Sequence, residues 1–223
     1  MKRTPINERK LPSYTRGEEI MNMVTHIVGG AMGLLILVFG ILFAVQHHSV
    51  WGIVSISIYA VTMIWLYTMS SVYHGLNPGR AKKVMQVLDH CTIYALIAGT
   101  YTPILLVAIR PLYPVLAWVC FGIEWGLLAL TTTLTAIDLR KYRVFSMICY
   151  IFMGWLVIFI LPQVIEALSF TGFIWLLIGG IAYTVGAILY GIGSKVPWFH
   201  SIFHIFVLLG SAFQAVAVLW FIW

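Results

Sequence analysis

Seven apolar runs follow one another along the chain, at 20–45, 51–73, 84–109, 112–136, 145–161, 170–191 and 199–222. A membrane-spanning helix needs about 20 predominantly apolar residues. Six runs meet that length, and the fifth falls short because Pro162 interrupts it before Glu166. The breaks carry turn chemistry: HHS at 47–49, LNPGR at 76–80, Arg110–Pro111 and SKVP at 194–197. Connections this short make neighbouring helices antiparallel. Small residues such as Gly29, Gly30, Gly33, Gly179 and Gly180 allow close helix approach. The pattern predicts an all-α integral membrane protein, a seven-transmembrane helix bundle over residues 20–223. Residues 1–19 are polar and carry both signs of charge, which predicts a cytoplasmic tail or an interfacial helix. The first run begins only at Ile20, is a full span long and lacks a small-residue cleavage site, so it reads as a span and not as a signal peptide.

Composition agrees with this reading and excludes a soluble domain. The 223 residues are 61% hydrophobic and 9% charged, against about a quarter charged in soluble domains. Nine Trp and eleven Tyr suit a chain that meets the membrane–water interface many times. The net charge of +6 does not indicate nucleic-acid binding, because there is no basic stripe or RNA-type motif. The basic residues instead sort by loop. Lys2, Arg3, Arg9, Lys10, Arg16, Arg80, Lys82, Lys83, Arg140, Lys141, Arg143 and Lys195 fall on one side, and Arg110 alone on the other. Cytoplasmic loops carry the excess of Lys and Arg, so the N-terminus is expected in the cytoplasm and the C-terminus outside. Cys91, Cys120 and Cys149 lie inside apolar runs without CxxC spacing and read as small core residues.

With that topology, polar residues distant in sequence fall at one depth, near the cytoplasmic surface. His74 ends the second run, Asp89 opens the third, and His200 and His204 open the seventh. Asn22 and His26 lie in the first turns of the first. An ionisable residue inside a membrane span is costly and points to function. His200 and His204 are spaced i, i+4, so both rings project from one helical face, and a third ligand can come from a neighbouring helix. Ser70 and His74 repeat that spacing. Three neutral imidazoles suit Zn²⁺ and leave a fourth position for water. Asp89 is the nearest carboxylate to orient that water and take its proton.

Other polar residues have plainer readings. His47 and His48 lie in the outer loop as interfacial residues. His90 faces roughly 100° around the helix from Asp89 and reads as structural, and Ser71 rivals Ser70. Glu124 lies near mid-span in the fourth run as a packing residue or the lining of a watery cavity. The hydroxyls of TTTLT at 131–135 either line a polar path or bond back to their own helix.

Four motifs carry a resemblance: EIMNMVTH at 19–26, SSVYH at 70–74, LDHCTIY at 88–94 and HSIFH at 200–204. In order and placement they resemble the hemolysin III branch of the progestin and adipoQ receptor (PAQR) family. The resemblance implies zinc ligands at His74, His200 and His204, a water-associated aspartate at Asp89 and a supporting serine at Ser70. Glu19, Asn22 and His26 match the first-helix motif. The family belongs with alkaline ceramidases in a wider group of seven-helix, metal-dependent hydrolases of lipid amides or esters. Compact size and a short N-terminus look like the bacterial members, which implies the inner membrane. A zinc-dependent hydrolase with a membrane lipid as substrate is therefore the leading expectation. A regulator of membrane state with a structural zinc and a lipid ligand is the alternative. A transporter using Glu124 ranks third.

Overall fold

The computed structural model describes residues 4–193 and 196–223, and these are helical without any strand. Seven long helices are α1 (Arg16–Gln46), α2 (Val50–Gly75), α3 (Arg80–Pro103), α4 (Pro114–Asp138), α5 (Arg143–Gly154), α6 (Leu161–Gly193) and α7 (Phe199–Phe221). A π-helical turn, Ile104–Ile109, continues α3 beyond Pro103, and a 3₁₀ segment, Leu156–Ile160, joins α5 to α6. Lys2, Arg3 and Lys195 of the charge asymmetry lie outside the described residues.

Six helical stretches among the described residues are long and apolar enough to cross a membrane. The expected fifth and sixth spans both lie in one of them, Arg143–Gly193, of 51 residues. A straight helix of that length would measure about 76 Å, more than twice the hydrocarbon thickness of about 30 Å. The path is not straight: Ser169 has φ 64° and ψ 164°. Its hydroxyl accepts the Gly172 N–H at 3.4 Å, an N-cap contact that starts the helix anew. The interruption expected at Pro162 is thus displaced to Ser169. Pro162 is instead accommodated in the first turn of α6, where a proline costs no backbone hydrogen bond.

The N-terminus of α1 also differs from expectation. The helix starts at Arg16 because Thr15 and Glu18 form a capping box: Thr15 Oγ1 accepts the Glu18 N–H at 3.3 Å, and Glu18 accepts the Thr15 N–H at 2.8 Å. Residues 4–15 are not an interfacial helix. They form a strap with one 3₁₀ turn, Ile6–Glu8, tied across the helix ends. Thr4 donates its N–H to Asp138 at 2.9 Å, Arg9 donates to the Ile137 carbonyl at 3.3 Å, and Lys83 donates to the Asn7 carbonyl at 2.7 Å.

Close approach sets the relative directions of the helices that carry the site. Along α1 and α2, Gly29 faces Tyr67 and Gly40 faces Ile56, an antiparallel pair. Along α1 and α7, Gly17 faces Trp198 and Gly40 faces Leu219, a parallel pair. On α6 and α7, Gly179 faces Gln214 while Gly186 faces Phe206, again antiparallel. At mid-depth, Tyr67 donates to Ser211 Oγ at 2.7 Å, and Tyr183 meets the same oxygen at 2.6 Å. This joins α2, α6 and α7. In hydrocarbon such contacts and van der Waals fit hold helices together, because lipid supplies no hydrophobic drive between them.

The hydroxyls of Thr131 and Thr133 donate back to Leu127 O at 2.6 Å and Ala129 O at 2.7 Å, the local alternative of the two readings. Glu124 is fully buried, and neither carboxyl oxygen has a hydrogen-bond partner. All three cysteines are free and buried.

Gly29 is a sharp test of this frame. A Cβ there would lie 2.5 Å from the Tyr67 ring, which its bond to Ser211 holds in place. Gly29→Ala should cost about 1–3 kcal/mol through overpacking, seen as a lower Tm in detergent. Gly122→Ala, whose Cβ meets nothing within 4 Å, should leave Tm no lower than wild type, and slightly raised by helix propensity.

Candidate metal centre

Because α1 and α7 run parallel and α2 runs against both, the first turns of α1 and α7 meet the last turn of α2. His74, His200 and His204 converge there, all buried. One ring nitrogen from each lies within 4.8 Å of the others. His200 Nε2 and His204 Nε2 stand 3.1 Å apart. His74 Nδ1 faces Glu19 Oε2 at 2.6 Å, so Nε2 is the free nitrogen of that ring, and it has no hydrogen-bond partner.

The donor set fits a metal. A tetrahedral zinc with bonds of about 2.0–2.1 Å holds its nitrogens roughly 3.4 Å apart, close to the observed His200–His204 spacing. Three buried imidazoles, with His74 Nε2 and His204 Nδ1 left without hydrogen-bond partners, are a donor set of the kind that zinc takes up.

Around the three histidines lies a shell of aromatic rings. Tyr14, from the strap, stacks on His200 with centroids 4.7 Å apart and a 15° interplanar angle. It covers the face of His200 on the side of the strap. Burial, then the nearby Tyr190 and the carboxylates of Glu19, Asp89 and Glu18, push its hydroxyl well above the usual range, so it stays a neutral phenol. Tyr73 lies edge-on to His74 at 4.6 Å, and Tyr190 of α6 is 5.8 Å from His200. His26 stacks on His204 at 3.8 Å and sits edge-on to Tyr67 at 4.9 Å, with neither ring nitrogen hydrogen-bonded.

Of the two expected catalytic residues, Ser70 is buried on α2 one turn before His74, as its spacing implied. Asp89 is partly exposed on α3, and its ion-pair contact is His90 Nδ1 at 3.8 Å. Its charge bears on Tyr14, the ring stacked on His200. His90 bridges α3 to α6, with Nε2 3.1 Å from the Tyr190 hydroxyl.

Sequence reading missed two supports. Lys82 counted only as a loop charge, yet it is buried at 3% exposure and bonded to Glu19 at 2.6 Å. Glu18 accepts the Trp198 N–H at 2.6 Å, which seats the start of α7 against α1. Trp198 has φ 66°, a left-handed conformation that a non-glycine residue holds at a cost. The T-x-x-E signature at 15–18 is the one signal in sequence that marks Glu18 as a structural anchor.

These arrangements have relatives. The profile of a family described as "Haemolysin-III related" matches residues 14–215. The chain belongs to the haemolysin III family. This branch of the PAQR family includes "Hemolysin-3 homolog" of Bacillus subtilis (strain 168), 39% identical over 208 residues, or 93% of this chain and 96% of that protein. "Hemolysin-3" of Bacillus cereus is 38% identical over 205 residues, 92% of each chain. A human protein, "Monocyte to macrophage differentiation factor", is 27% identical over 230 residues, 97% of this chain and 88% of that one. With its apolar helices, this haemolysin III protein is a multi-pass integral membrane protein.

Glu18 is the testable anchor. Glu18→Ala removes half of the capping box and the acceptor of the part-buried Trp198 N–H, which should cost about 0.5–2 kcal/mol. Thermal unfolding in detergent should register this as a lower Tm.

Proposed function

We propose that this haemolysin III protein is a membrane-embedded zinc hydrolase acting on a lipid amide or ester near the cytoplasmic leaflet of the bacterial inner membrane. The observation that carries the reading is the approach of one nitrogen each from His74, His200 and His204 to within 4.8 Å, in a buried layer. Those three residues would hold Zn²⁺, which when bound supplies Lewis acidity toward a carbonyl and acidifies water. Asp89 serves as the general base, taking a proton from the attacking water. Ser70, one turn from His74, positions that water or the developing oxyanion. Tyr14 lies over His200 on the aqueous side, which favours a substrate arriving laterally through the bilayer, its tail in lipid.

The proposal includes seven membrane crossings with the N-terminus in the cytoplasm. Three contacts support the count. Ser146 meets Thr135 near the end of α4, Glu166 meets Tyr113 at its start, and Tyr190 returns to His200. A chain passing through these points crosses the bundle between 146 and 166 and crosses back by 190. The excess of Lys and Arg on the side of the histidines supports the orientation.

One observation favours a second reading, a regulator of membrane state with a structural zinc. Asp89 makes its ion-pair contact with His90 and has no hydrogen bond to the three histidines. In that reading the metal ties α2 to α7, and Asp89 only caps the site.

Turnover separates the two. The zinc-loaded protein in nanodiscs should hydrolyse at least one member of a panel of lipid amides and esters. Asp89→Asn should retain its zinc and lose about 10²–10⁴-fold in rate, the usual contribution of a general base. Equal rates would remove Asp89 from that role. Zinc without any turnover, together with a Tm loss in His74→Ala, would favour the regulator.

A further inference from the structure

Glu19 occupies a position that neither its motif nor its exposure explains. One carboxyl oxygen, Oε2, lies 2.6 Å from His74 Nδ1, and the other, Oε1, lies 2.6 Å from Lys82 Nζ. The carboxylate accepts, so Nδ1 carries the proton and donates. The lone pair of His74 is thereby confined to Nε2, the nitrogen left without a partner. Asn22 Nδ2 is 3.4 Å from the same Nδ1. With the Nδ1 proton donated to Glu19, Nδ1 has no lone pair to accept from Asn22, so the shorter Glu19 contact sets the tautomer.

Lys82 holds the carboxylate in turn. Besides Glu19, its ammonium donates to the Leu76 carbonyl at 2.9 Å and the His74 carbonyl at 3.5 Å. Both are C-terminal carbonyls of α2 that lack helical partners, and a cation at a helix C-terminus is favourable. The three ammonium protons are thus all used. A relay of contacts runs from Lys82 on α3, through Glu19 on α1, to His74 on α2, and it stays electrically neutral because the ammonium balances the carboxylate.

We infer that Glu19 is the positioning residue of the metal centre, selecting the His74 tautomer and ring orientation, and that Lys82 fixes Glu19 for that task. Carboxylates in this relation to a ligating imidazole raise its basicity, and losing one typically weakens metal affinity about 10–100-fold. The inference rests on the metal reading proposed above, and the test separates the two.

The experiment is zinc titration of the full-length protein in detergent against a chromophoric chelator, with the absorption spectrum of the Co²⁺-substituted form as second readout. Wild type, Glu19→Gln and Glu19→Gln/Lys82→Met are compared; the double variant removes both charges, so that no buried ammonium is left unpaired. Both variants should bind zinc about 10–100-fold more weakly and show altered cobalt bands. In the double variant the metal-free Tm should fall only by what the lost Leu76 and His74 carbonyl bonds entail, while zinc affinity of the folded protein drops; a merely bracing role for Glu19 would lower the Tm and leave that affinity unchanged. Folded double variant with wild-type zinc affinity and spectrum overturns the inference alone. Wild-type protein that binds no zinc overturns the metal reading and this inference with it.

Discussion

Hydrocarbon offers no water to take up a lone pair, and that constraint governs the end of this bundle where the starts of α1 and α7 meet the end of α2. Four histidines, His26, His74, His200 and His204, are buried there within ring contact of one another. Between His200 Nε2 and His204 Nε2 a single hydrogen bond is possible, one ring donating and the other accepting. His74 Nε2 then has nothing to bond. An unsatisfied buried polar group costs about 1–3 kcal/mol, so a cluster of imidazoles is poorly accounted for by packing alone. A cation taking a lone pair from each of three rings gives His74 Nε2 a partner and relieves the part of the deficit that lies between His74, His200 and His204.

The helices are arranged so that this layer can form. α1 packs against both α7, which runs parallel to it, and α2, which runs antiparallel, and this brings two helix starts and one helix end together. Glu18 and Glu19 are adjacent in sequence and point about 100° apart, and they serve different partners. Glu18 holds the start of α7 through Trp198, and Glu19 holds His74 at the end of α2. Lys82 draws in α3. One turn of α1 therefore sets the relative placement of α2, α3 and α7 around the histidines. The strap closes over them by laying Tyr14 on His200.

Much of this was legible in sequence, for identifiable reasons. The i, i+4 spacing of His200 and His204 is a local property of one helix, and it survives folding unchanged. Charge asymmetry and helix order placed His74 at the same depth, because short connections leave few alternatives. The start of α1 at Arg16 was also written locally, in Thr15 and Glu18, but the apolar run drew the expected boundary to Ile20. What escaped depended on contacts between distant segments. Lys82 looks like any loop cation until α1 supplies Glu19. Pro162 looks like a break, but a first-turn proline is harmless, and the chain bends at Ser169 where no proline or glycine stands. Asp89 shares the layer, yet its depth said nothing about its partner, and the structure gives it His90.

The claim on which the rest depends is that His74, His200 and His204 form one metal centre. X-ray absorption at the zinc K-edge of the purified protein addresses it directly, because it counts and types the atoms around the metal. The expected spectrum has three imidazole nitrogens at about 2.0–2.1 Å and one further light atom, with the imidazole signature weakened in His200→Ala. A sulfur shell, or a spectrum that His200→Ala leaves unchanged, would place the metal elsewhere and contradict the assignment.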